Sequence, residues 1–221
     1  MYYFLRMANL PHRIRFPVPA ARPRSHAERS AETRAAILEA VSESVVEVGF
    51  KRTTAAEIAR RAGVTWGAVQ HHFGGKDGML AAVLEDSFNR FVERVESVPR
   101  DGQLEKRVSL FVDRAWEHYS SAHYRTTYEI LLHFRTRDDV EEAPEWSAIM
   151  AKAWNEIWRT IFHDVAISGK RHALMARYSL ATLSGLAGLL FLSGDPADSL
   201  ARDLEVLKRL LIRELCDEEE G

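Results

Sequence analysis

The sequence predicts an all-α chain: a small N-terminal three-helix unit of the helix-turn-helix type, then a larger helical body. Three observations predict it. From Ser30 onward apolar residues recur at helical spacing almost throughout. No segment alternates apolar and polar residues as a half-buried strand does. Glycine and proline fall between the periodic segments, where helices end and turns form.

Residues 1–29 stand apart. Pro11, Pro17, Pro19 and Pro23, with five arginines and no acidic residue up to position 27, predict a flexible basic arm. The opening apolar residues are too few for a secretory signal, and Met7 offers a second start. Ile37, Val41, Val45 and Val48 share one face of a first helix, which Gly49 ends. Thr54 to Glu57 reads as a capping box, the threonine capping a helix and the glutamate reaching back. Ile58, Ala59 and Ala62 then face inward, and Gly63 makes a sharp turn. Thr65 caps a brief helix from Trp66 to His71, anchored by Val69 and Phe73. Leu80, Leu84, Phe91 and Val95 mark the next helix, over about 77–97. Leu104, Val108, Phe111, Ala115 and Tyr119 mark another. Helices follow over about 124–135, 145–168, 171–193 and 196–216, punctuated by Gly169, Gly194 and Pro196. The predicted divisions are an arm at 1–29, a helix-turn-helix domain at 30–77, a helical domain at 78–216 and an acidic tail at 217–221.

The charge is uneven. The chain totals -2, yet residues 1–76 hold 12 Lys/Arg against 6 Asp/Glu, while the remainder holds 18 against 26. A basic module suited to polyanions is therefore joined to an acidic one with another task. The lone Cys216 excludes an internal disulfide framework and fits a reducing cytoplasm. The apolar run Leu180–Leu192 is short and interrupted by Thr182, Ser184, Gly185 and Gly188, so no membrane span is expected.

Residues 32–91 closely resemble the DNA-binding domain of the tetracycline-repressor (TetR/AcrR) family. The resemblance is carried by Thr33 to Leu38, Val48-Gly49-Phe50, Thr53 to Ala59, Ala62 to Thr65 and His72 to Leu80, in that order and spacing. It covers about a quarter of the chain. It implies that Thr54 and Lys76 contact phosphates at helix N-termini, where free N–H groups favour anions. It also implies that Thr65, Trp66, Gly67 and Ala68 meet the major groove, Gly67 by letting the backbone approach closely. His71 can reach a phosphate or a base. Gln70 stands where the family often has a phosphate-touching tyrosine; an amide can bond phosphate or read adenine instead. Trp66 can alternatively be a core residue. His71 and His72 point about 100° apart on a helix, and neither a metal nor a cofactor is expected there.

A single helix-turn-helix makes few contacts, so a homodimer on a palindromic double-stranded operator is expected. Small and apolar residues alternate along 171–193. Leu180, Ser184, Gly188 and Phe191, with Leu204 and Leu211 of the last helix, are the candidate interface; an intramolecular core is the competing reading. The middle of the chain is aromatic. Trp116, Tyr119, Tyr128, Trp154 and Trp158 are candidate walls of a ligand pocket, with His118, His123, His133 and Glu129 as polar tips, and plain core packing is the alternative. The resemblance implies a ligand-binding and dimerisation domain that releases DNA on binding a small apolar or aromatic inducer, through the helix over 77–97. No catalytic motif is present, so an enzyme is not expected. The rival is a helical small-molecule-binding protein without sequence-specific DNA binding.

Overall fold

The computed structural model describes residues 27–135 and 145–216, so the predicted basic arm up to residue 26 and the acidic tail lie outside the described residues. Among the described residues there are nine α-helices, two short 3-10 turns and no strand. They form two compact units. The first holds 27–89 and 122–135; the second holds 90–121 and 145–216. The division differs from the boundary read at residue 77: most of α4 and the whole of α6 group with the helix-turn-helix.

The first unit, the head, contains α1 (Ala27–Val48), a 3-10 turn (Phe50–Arg52), α2 (Ala55–Ala62), α3 (Trp66–Phe73), α4 (Lys76–Val95) as far as Asn89, and α6 (Ala122–Arg135). Its core is the face predicted for α1, with Ile37, Val41 and Val45 fully buried, joined by Ile58, Val69, Phe73, Met79, Leu80 and Leu84. α6 lies against α1, burying Ile130 and Thr126. Gly49 leaves the α-helical path at φ 81° and stops α1.

The second unit, the body, contains the end of α4, then α5 (Leu104–Tyr119), α7 (Glu145–Ile161), α8 (Gly169–Ser193), a 3-10 turn (Ala197–Leu200) and α9 (Ala201–Cys216). α7 ends seven residues before the predicted residue 168. Arg107, almost wholly buried, donates to the Ile161 carbonyl at 3.0 Å and to both carboxylate oxygens of Asp164 at 2.6 and 2.9 Å. It thus satisfies an orphan C-terminal carbonyl and pins the chain as it leaves the helix. That guanidinium also holds the Asp164 carboxyl below its usual range. Ser168 then caps α8 through the Arg171 N–H.

α8 is continuous over 25 residues. It contains the whole helix predicted over 171–193: the Ser184 hydroxyl folds back onto the Leu180 carbonyl at 2.7 Å, and the glycines are absorbed. By length and composition it could cross a membrane, with an 18-residue mean hydropathy of 1.3. One of its faces, however, is buried against protein through Met175, Ala176, Ser179, Leu183, Ala187 and Leu190.

Candidate nucleic-acid interface

The head presents α3 as a short rod gripped from behind. Val69 and Phe73 are buried, so the opposite side must face out. Thr65, Gly67, Gln70 and His71 are exposed there; Trp66 and Ala68 are half-buried. The predicted end at His71 is extended by two residues to Phe73, because Gly74 adopts the left-handed conformation (φ 73°) and its N–H closes on the Gln70 carbonyl. The Arg34 guanidinium covers the Phe73 ring at 4.8 Å.

Both candidate capping threonines cap. Thr65 Oγ1 accepts from the Ala68 N–H and Thr54 Oγ1 from the Glu57 N–H, each at 3.2 Å. A hydroxyl used as an acceptor keeps its own proton to donate, so both exposed threonines retain an O–H for a phosphate oxygen. Glu57 does not complete the capping box. Its carboxylate takes Arg60 at 2.7 and 2.8 Å and Arg61 at 2.6 Å, and Arg61 also pairs with Glu47. Two guanidiniums outbid one backbone amide for the same oxygens. Their hydrogen bonds, Arg60 first, hold the Glu57 carboxyl down at about 2.

Glycine serves two opposite purposes here. A Cβ on Gly78 would lie 1.9 Å from the Phe73 carbonyl oxygen, so the α3–α4 turn demands glycine. A Cβ on Gly67 would meet only Thr65 Oγ1, at an ordinary 3.7 Å. Nothing inside the chain requires glycine at 67; its bare surface matters to whatever approaches from outside.

Lys76 is exposed at the N-terminus of α4. Its Nζ lies 5.6 Å from the centre of the Phe50 ring. Phe50 is therefore part of this surface although sequence reasoning gave it no role beyond the family pattern. His71 and His72 rings meet edge-on at 5.7 Å, and His72 packs beside Phe73 at 6.3 Å. Burial, then the charges of His71 and Arg34, push the His72 imidazole below its usual value. No group of three metal-ligating side chains occurs among the described residues.

The aromatic residues of the body are packed together. Trp154 stacks on Phe91 at 4.7 Å, and Tyr119, Phe111, Trp158 and Phe162 meet edge-on or tilted around them. Trp154 donates to the Ala176 carbonyl and Trp116 to the Ala197 carbonyl. Trp158 is 1% exposed, yet its indole N–H has no acceptor. Tyr128 belongs to the other unit, on α6. Of the proposed polar tips, His118 is buried beside Phe91 and Tyr119. The other three serve the head: His123 meets Glu39 at 3.2 Å, His133 packs on Phe50, and Glu129 accepts from the Phe50 N–H. An open cleft lies elsewhere, lined by Arg159, Ser168, Arg171, Leu174 and Glu214 among others.

The interface candidates need correcting. Gly188, Leu204 and Leu211 are buried inside the chain's own core, because α9 packs its leucine face on α5 and α8. Leu180, Ser184 and Phe191 are half-buried. The exposed stripe of α8 is instead Leu174, Tyr178, Ala181, Gly185, Leu189 and Leu192, with Val206 exposed on α9.

Residues 37–83 match the family model described as "Bacterial regulatory proteins, tetR family". The HTH-type transcriptional regulator BetI of Escherichia coli O17:K52:H18 (strain UMN026) is 36% identical over 84 residues, covering 36% of this chain and 43% of BetI. The match thus spans less than half the length of that curated relative. Among solved structures, NalD, the secondary repressor of the MexAB-OprM multidrug efflux pump in Pseudomonas aeruginosa, is similar with TM-score 0.58 at 25% identity, over 85% of this chain and 97% of NalD. The multidrug binding protein EbrR, solved with imidazole, gives TM-score 0.62 at 20% identity, over 92% of this chain and 99% of its own. Across nearly the whole described chain, these likenesses establish the fold.

Proposed function

We propose that the chain, whose residues 37–83 match the tetR family of bacterial regulatory proteins, is a cytoplasmic transcriptional repressor. It binds a palindromic operator as a homodimer and lets go when a small apolar or aromatic inducer binds the body. The observation that carries this reading is the outward face of α3. Thr65, Gly67, Gln70 and His71 stand exposed on a helix pinned by Val69 and Phe73, with Thr54 and Lys76 exposed at neighbouring helix N-termini. A groove-reading helix framed by phosphate contacts has this form.

The exposed stripe on α8 is the proposed contact with a second copy. Leu189 and Leu192 are 59% and 85% exposed. A helix apolar on that stripe and buried on its other face suits a helical partner better than lipid, which would need an apolar surface all round. Two heads about 34–36 Å apart would then meet successive turns of one DNA face. The inducer reading rests on the family likeness and on the aromatic side chains of the body, which suit an apolar or aromatic ligand.

Salt titration of binding to DNA upstream of its own gene tests the reading, with sedimentation on the same samples. Affinity should fall linearly, on logarithmic axes, with salt. Leu189→Lys should shift the chain toward monomer and weaken binding together. A chain that binds no duplex even at low salt, while still taking up aromatic ligands, would instead be the helical small-molecule-binding protein.

A further inference from the structure

The 3-10 turn after α1 begins with an orphan donor. Gly49 sends its own N–H back to Val45, and the turn closes through the N–H groups of Arg52 and Thr53 on the Gly49 carbonyl. That leaves the Phe50 N–H pointing away from α1. It is taken by Glu129 Oε2 at 2.8 Å, from α6, 79 positions along the chain. On the same helix, one turn on, the His133 ring lies against the Phe50 ring with centroids 4.8 Å apart. Phe50 is thus held twice from α6, once by its backbone and once by its ring. Lys76 Nζ sits 5.6 Å from the centre of the same ring, at the N-terminus of α4. All four residues belong to the head.

We propose that Phe50 is a positioning residue for DNA binding: clamped by Glu129 and His133 of α6, it steers the Lys76 ammonium toward a DNA phosphate through a cation–π contact. The inference rests on the reading of Lys76 as a phosphate contact. An exposed lysine ammonium is a flexible point charge on four rotatable bonds, and it loses that freedom when it grips a phosphate. A ring at its side narrows the search beforehand. The ring accepts no hydrogen bond from it and leaves its N–H donors for the phosphate. At an exposed site the contact corresponds to about two- to fivefold in affinity per head.

The test measures duplex affinity against salt for the full chain, using a duplex it enriches from sheared genomic DNA. Lys76→Gln should flatten the logarithmic salt slope by about 0.9 per head. Phe50→Leu should lower affinity and flatten the slope in the same direction, and Phe50→Trp should restore both. In the Lys76→Gln background Phe50→Leu should cost nothing further, because the two act as one. A purely structural Phe50 would give losses that add, with an unchanged slope, and that result overturns the proposal. Should Phe50→Leu unfold the head, mono-, di- and trifluorinated phenylalanine at position 50 keep the shape while draining the ring's negative face. Affinity should then fall stepwise with fluorination, and a flat series would overturn the proposal. No duplex binding by the unaltered chain at low salt would sink the regulator reading itself; intact binding with a flat series sinks only the role of Phe50.

Discussion

Head and body place their side chains to different ends. In the head, the notable polar groups are engaged on the outside: Glu57 with Arg60 and Arg61, Arg61 with Glu47, and two threonines at helix N-termini. In the body, the notable groups are rings turned inward, and four of the large exposed apolar side chains lie in a row on α8. A surface rich in exposed donors suits a polyanion, whereas an exposed apolar row suits another protein copy. Both units bury an apolar core, but the head adds obligatory turns around its exposed short helices, and the body concentrates its large rings inside. Truncating a large ring should injure the body most, and disturbing the α3–α4 turn should injure the head most.

The largest effect is expected from Trp158→Ala. Its ring is fully buried against Phe111 and Phe162, so truncation should destabilise the body by about 3–5 kcal/mol in denaturant unfolding. A loss under about 1 kcal/mol would show that the aromatic cluster is a loose pocket wall and not a core. Next comes Gly78→Ala in the head. The added methyl must displace the Phe73 backbone, because its Cβ would fall 1.9 Å from a carbonyl oxygen. A loss of roughly 2–3 kcal/mol is expected, with DNA binding abolished while the tryptophan fluorescence of the body persists. If both units melt together at unchanged DNA affinity, the contrast between them fails.

How much was legible follows the same contrast. In the head, Thr54, Thr65 and Gly63 act through neighbours three or four positions away, so their roles can be read from spacing. Phe50 acts through Glu129 and His133, 79 and 83 positions on, and spacing carries no trace of that. The same blindness made Glu129, His123 and His133 look like tips for a ligand. Glu57 was misread for a nearer reason: the capping-box pattern ignores Arg60 and Arg61, which compete for the same carboxylate. In the body, the period of α8 and α9 was plain, yet a leucine stripe does not say which apolar face meets the chain's own core. Leu204 and Leu211 turned inward because α9 packs on α5, and the outward face fell to residues such as Leu189 and Val206.

The smallest effect expected separates the two units by pH. Glu57 in the head is held down at about 2 by Arg60 and Arg61, against an ordinary value of 4.5. A depressed carboxyl contributes stability that is complete above its unfolded value, and that is lost as pH falls from about 4.5 through about 2. Asp164 in the body is also lowered, by Arg107, so acid alone cannot tell the units apart. Substitution can. Glu57→Gln should remove part of the acid sensitivity of α2, read as the difference in head stability between the variant and the unaltered chain, and that difference should vanish near pH 2. Asp164→Asn should leave the head's profile untouched and instead weaken the body above pH 4, because Arg107 stays buried and charged with only its two carbonyl acceptors, Arg100 and Ile161. Because the Arg60 side chain is 69% exposed and the Arg107 side chain 3%, added salt should shrink the first difference more than the second. Equal salt responses would mean that the exposed and the buried guanidinium are screened alike, and that the distinction drawn between the two units does not extend to their electrostatics.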